Sequence, residues 1–223
     1  MVSKKPIIGV DFGQAQDFTA IAYGLYGGEV EFPAVDPNGP SKLEPILNLK
    51  YLRRLQLGMS YEDQVRKLRA LYDQVHGETG QRPLLIVDGT GVGRAITEMV
   101  RKAGMPCIMV TVTGGSKPNK EGSNWTIPKK DLVGPAQLGI QNRTIKLAKG
   151  LAHAEILVKE LQNFHHKQNI ATGNDTFEAH RESDHDDLVF AVSLVAYAFR
   201  TSTEPGVCAR TIIPSKYNDG TSS

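Results

Sequence analysis

The stretch Pro83-Leu84-Leu85-Ile86-Val87-Asp88, continued as GTGVGRAITEMVRKAGMPCIMVTV to Val112, decides the fold. An unbroken apolar run closed by an acidic residue reads as a strand buried on both faces. A glycine turn, Gly89–Gly93, follows, and then a helix to about Ala103. Pro106–Val112 is a second apolar run of strand length. Strand, helix and strand in this order argue for parallel pairing through a right-handed crossover.

Upstream, Pro6–Phe12 (PIIGVDF) reads as a buried strand and Thr19–Leu25 (TAIAYGL) as a second. Gly27-Gly28 predicts a turn into a third, Glu29–Val35, whose Pro33 places it at an edge. Asp36–Ser41 is a loop, and Pro45–Leu55 favours neither helix nor strand. Ser60, with Asp63 three positions on, caps a helix to about His76. Downstream, Thr113–Lys130 is irregular, with Gly114, Gly115, Pro118, Gly122 and Pro128. Helices follow over Asp131–Gln141 and Ala154–His166, with a short strand at Thr144–Lys149 and a small hairpin at Ala171–His180. A final helix, capped by Ser183 or Asp184, reaches about Phe199 on the apolar spacing of Leu188, Ala191, Val192, Val195 and Phe199. The expected architecture is α/β, a mixed sheet with helices on both faces. It forms one domain over residues 1–200, with a loose tail from Thr201 to Ser223.

The bulk composition excludes little. In 223 residues, 26 Lys and Arg face 24 Asp and Glu, so a DNA footprint must come from local patches. Hydrophobic residues at 40% are ordinary for a soluble domain. No apolar run approaches the ~20 residues of a membrane span, and the polar start, Met1–Lys5, is no secretory signal. Cys107 and Cys208 lie far apart without metal-type spacing, which predicts reduced thiols and a cytoplasmic setting.

The chemistry lies in the acids. Asp11 and Asp88 each follow an apolar run and stand in a short path to glycine, Val10-Asp11-Phe12-Gly13 and Val87-Asp88-Gly89. If their strands are neighbours, the two carboxylates stand ~5 Å apart, the spacing of strands in a sheet. Such a pair repels itself unless a hard cation such as Mg²⁺ intervenes. A lone Asp at a strand end is often only a turn residue. Ser183-Asp184-His185-Asp186-Asp187 opens the last helix, where acids also serve the helix dipole. On a helical wheel Asp187 lies nearer the apolar face than Asp186, so Asp187 is the expected main ligand and Asp186 the second choice.

With these residues in view, IIGVDFGQAQDFTAIAYG, LLIVDGTGVGRAITEMV and SDHDDLVFAVSLVAYA resemble the three acidic motifs of the nuclease domain of the large terminase subunit, the DNA-packaging motor protein of tailed bacteriophages. IPKKDLVGPAQLGIQNRTIKL and LVKELQNF resemble it too, so the likeness spans most of residues 7–199. The resemblance implies a ribonuclease H-like fold and cleavage of double-stranded DNA with two ions, Mg²⁺ or Mn²⁺. It maps catalytic and metal-binding roles onto Asp11, Asp88, Asp187 and Asp186. Implied partners are a terminase ATPase domain, the small terminase subunit and the portal, in the cytoplasm of an infected host. The chain departs from full terminase subunits in having no G-x-x-x-x-G-K-[ST], so no ATPase motif is expected in it.

Lys117, Lys120, Lys129 and Lys130 flank Trp125 in the glycine-rich stretch, and Arg143 follows. They are candidate DNA-phosphate contacts, with Trp125 either stacking on DNA or packing into the protein. His185 is read as a solvated first-turn residue and Asp17 as a turn residue. Three alternatives stay open. An actin-like or sugar-kinase-type ATPase subdomain would explain GVDFG and VDGTG, but normally needs a second copy and no DHDD. The motifs also suit a junction-resolving nuclease or a non-catalytic DNA-binding module.

Overall fold

The computed structural model describes residues 5–13, 17–32, 41–91, 93–170 and 186–203. The N-terminal strands are β1 (Ile7–Asp11), β2 (Ala20–Phe32) and β3 (Lys42–Arg54), followed by helix α1 (Tyr61–Thr79). Then come β4 (Leu84–Asp88), α2 (Gly93–Lys102), β5 (Cys107–Thr113), β6 (Asn119–Glu121) and β7 (Asn124–Pro128). The chain continues through α3 (Lys129–Gln141), β8 (Ile145–Leu147), α4 (Ala154–Ile170) and α5 (Asp187–Thr203). One sheet of eight strands results, in the order β6-β7-β5-β4-β1-β2-β3-β8.

The crossover read from the sequence is present. β4 pairs parallel with both β1 and β5, and α2 links β4 to β5. The meander differs from expectation. Gly27-Gly28 is not a turn: β2 runs through it as a 13-residue strand. The extra length is absorbed as a bulge, with the register slipping between Tyr26 and Glu29 and Gly28 at φ +108°, a backbone region open to glycine. The third strand is therefore Lys42–Arg54, the segment whose sequence favoured neither state. Pro33 and nearly all of the expected loop after it lie outside the described residues. The stretch expected to be irregular holds a hairpin, β6–β7, which extends the sheet beside β5. The Ala171–His180 hairpin, the Ser183 or Asp184 cap, His185 and Cys208 also lie outside the described residues. Helix α5 continues into the expected tail as far as Thr203.

Strand alternation sorts the core into two layers. Ile8, Val10, Leu85 and Val87 face α1 and α2, packing with Val65, Leu68 and Ile96. Ile7, Ala20, Ala22 and Ile86 face the opposite way, toward α3, α4 and α5. Gly9 lies on this second face, where α5 crosses so closely that a Cβ there would sit 2.4 Å from the Ala191 carbonyl oxygen. No described helix is long and apolar enough to cross a membrane.

Candidate carboxylate site

Asp11 and Asp88 end β1 and β4, and they are register partners in a parallel pair. Adjacent strands lie ~4.8 Å apart, so the two carboxyl groups leave the sheet side by side. By alternation both project from the face covered by α5, since Gly9 and Ile86 stand two residues earlier on the same strands. The row continues across the sheet, with Asp11 opposite Ala20 of β2 and Ala20 opposite Arg54 of β3. A line of side chains thus runs from two acids to one base along the end of the sheet.

Helix α5 brings the third acid. It starts at Asp187, which is only 8% exposed, whereas the Asp186 side chain is 39% exposed at the surface. The close approach at Gly9 lays this helix on β1. Asp187 therefore opens its first turn beside the strand ends, at the positive pole of the helix.

Electrostatics shows how crowded these groups are. The Asp11 carboxyl is held well above its usual range, first by burial and then by the charges of Asp88, Asp187, Asp186 and Asp17. Burial also raises Asp88, partly opposed by its hydrogen bonds from Thr90. The Thr90 backbone N–H and hydroxyl both donate to Asp88 Oδ1, at 2.8 and 2.5 Å. The same hydroxyl accepts from Val112 N at 2.8 Å, which ties the end of β4 to β5.

Two cations answer this charge. Arg54 Nη2 lies 2.5 Å from Glu160 Oε1 and 3.4 Å from Asp187 Oδ2, with its guanidinium over the Phe18 ring. Glu160 Oε2 accepts from Val189 N in the first turn of α5, so Glu160 holds both the arginine and the helix start. Burial pushes Glu160 up to about 7, with Arg54 and the Val189 N–H opposing and Asp187 and Asp186 adding to the rise. Lys129 Nζ lies 3.8 Å from Asp186 and rests over the rings of Phe164 and Phe190.

The donor chemistry fits a hard divalent cation. All the candidate donors are carboxylate oxygens, and their mutual repulsion is what such an ion relieves. Among the described residues no three His, Cys, Asp or Glu side chains are grouped to hold an ion as they stand. What the sheet presets is the Asp11–Asp88 pair, with Asp187 presented from the helix above.

The basic residues expected on DNA separate. Lys129 stands at the acids rather than in a solvated loop. Lys120 packs over the rings of Trp125 and Tyr197. Trp125 is 3% exposed and donates its indole N–H to the Gly122 carbonyl, so it is a core residue and not a wedge. Lys117 and Lys130 are exposed near the carboxylate end of the sheet. Arg143 precedes β8, which pairs with Leu47–Leu49 of β3. That is seven residues before Arg54, or ~23 Å down the strand from the acids. Asp17 is exposed beside the site and adds to its negative field. Arg54, Glu160 and Thr90 carried no sequence signal, since each acts through partners distant in the chain or through a single hydroxyl.

No protein-family model matches the chain, and no curated protein does. Solved structures do match. The large terminase nuclease from thermophilic phage G20c is 22% identical, with 87% of this chain and 81% of that one covered at a TM-score of 0.54. The human cytomegalovirus terminase nuclease domain is 14% identical, with 87% and 83% covered at 0.51. A manganese-soaked structure of the same viral domain is 16% identical, with 88% and 83% covered at 0.50. At these identities the likeness is one of fold, and the chain has the ribonuclease H-like fold of terminase nuclease domains.

Proposed function

We propose that this chain is a metal-dependent endonuclease that hydrolyses phosphodiester bonds in double-stranded DNA. The observation that carries the reading is the register pairing of Asp11 with Asp88 on adjacent parallel strands, under the helix that starts at Asp187. Asp11 and Asp88 would hold one Mg²⁺ or Mn²⁺ between them, and Asp187 with Asp186 would complete a site for two ions. When bound, such ions lower the pKa of the attacking water and stabilise the leaving oxygen.

The remaining chemistry belongs to the chain. Thr90 holds one oxygen of Asp88 through two hydrogen bonds, which fixes the carboxyl group at the end of its strand. Glu160 engages Arg54 and thereby limits how far the guanidinium neutralises Asp187. Lys129, beside Asp186, supplies a positive charge at the edge of the site for an incoming phosphate. No side-chain nucleophile is needed. The likeness to terminase nucleases supports a viral DNA-packaging role, in which an ATPase domain, the small terminase subunit and the portal would be partners in the host cytoplasm.

Plasmid nicking tests the reading. Supercoiled DNA should be nicked with Mg²⁺ or Mn²⁺, and EDTA should stop it. Cleavage that survives chelation, or that persists in Asp88→Ala, contradicts it.

A further inference from the structure

A second feature lies at the same end of the sheet, beyond Arg54. A cleft of about 730 Å³ opens between the end of β3, helix α1 and the start of α4. Arg53, Arg54, Lys67 and His153 line it, and among the described residues no carboxylate does. Arg53 and Lys67 are exposed and form no ion pair with a described residue. Arg54 is paired with Glu160 and Asp187, and its Nε is buried without a hydrogen-bond partner among the described residues.

His153 adds a second buried nitrogen. Its carbonyl accepts from Leu157 N, so it caps the 17-residue helix α4. It does so at φ +61°, a conformation that side chains other than glycine rarely adopt. Its Nδ1 is buried and lacks a hydrogen-bond partner among the described residues. The positive end of the helix macrodipole lies at the same place. Two exposed cations, the Arg54 guanidinium and a helix N-terminus thus border one cleft, a combination suited to an anion.

Resting on the nuclease reading above, we propose that this cleft takes the phosphodiester backbone of the DNA on the β3 side of the cut. The geometry points to it because Arg54 is both a wall of the cleft and the last member of the row that contains Asp88 and Asp11. Arg54 is two strands from Asp11, or ~10 Å. At 3.4 Å of rise per nucleotide, that is about three nucleotides along one strand. Arg53 and Lys67 neutralise phosphates there, while the acids remain free of the flanking backbone. On the opposite side of the acids the Lys120 side chain is packed on the rings of Trp125 and Tyr197.

The test is duplex affinity across a salt series, without divalent metal, for the wild type and for Arg53→Ala/Lys67→Ala. Both residues are exposed, so folding is retained, and the melting temperature verifies it. Removing one phosphate-neutralising cation lowers the salt slope by about one unit, so the double variant should drop by about two. An unchanged slope overturns the proposal, as does a drop seen only in Lys117→Ala/Lys130→Ala. A wild type that neither binds duplex nor nicks plasmid overturns the nuclease reading and this proposal with it. A wild type that nicks normally beside an unchanged slope overturns this proposal alone.

Discussion

The two faces of the sheet use the same strands for opposite purposes. Toward α1 and α2, β1 and β4 send Ile8, Val10, Leu85 and Val87 into an apolar layer. Thr19 and Gln64, buried in this layer, are neutral and matched: the Thr19 hydroxyl donates to Gln64 Oε1 and accepts from Gly13 N, and Gln64 Nε2 donates to the Met59 carbonyl. Toward α5, the alternate positions of the same strands carry Asp11 and Asp88, joined by Asp187, Glu160 and Arg54. Here like charges are gathered and only partly answered. The α5 face gathers repulsion that the proposed cation would relieve, a trade of stability for activity.

That contrast breaks first at the acids. Asp11→Asn or Asp88→Asn should cut plasmid nicking by roughly 10³-fold or more, because losing an ion's stabilisation costs several kcal/mol of barrier. The metal-free variants should nevertheless melt no lower than the wild type, since a repelling charge is gone. Calorimetry showing a large loss of stability would mean that these carboxylates are structural. Leu68→Ala, on the other face, should do the reverse. Leu68 is fully buried, and its truncation should cost about 2–5 kcal/mol. At 2–4 °C per kcal/mol for a chain of this size, a clear drop in melting temperature follows. Nicking per folded molecule should be unchanged.

A smaller effect is expected from pH. Asp11, Asp88 and Glu160 all have raised values in the folded state. Between their ordinary range and the raised values the folded chain binds more protons than the unfolded one, so stability falls as pH rises. For Glu160 the window runs from 4.5 to about 7. Urea denaturation of metal-free protein should therefore give a higher midpoint at pH 5 than at pH 8. Glu160→Gln should flatten part of that slope, and an identical slope in the variant would remove Glu160 from the account.

How much of this was legible in the sequence follows from how local each signal is. PLLIVD and PIIGVDF announce buried strands because every residue before the Asp is apolar or small. The pairing of Asp11 with Asp88 follows from a parallel crossover that the chain order itself suggests. Gly27-Gly28 misled because two glycines mark hairpins, while here the sheet needed a bulge that only flexible backbone allows. β3 stayed hidden because Pro45 and three basic residues near its end dilute its apolar alternation. The lysines near Trp125 looked like a free patch, yet Lys120 and Lys129 are drawn onto aromatic rings by packing from α4 and α5. The Arg54–Glu160–Asp187 contacts span more than a hundred residues, so no local pattern could reveal them.

Anomalous diffraction from crystals soaked in Mn²⁺ locates the ions relative to the acids. A manganese peak should lie within coordination distance, on the order of 2 Å, of carboxylate oxygens from both Asp11 and Asp88. A second peak should lie about 4 Å away, toward Asp187. Manganese bound only elsewhere, or no manganese at Asp11 and Asp88 at saturating concentration, would contradict the account.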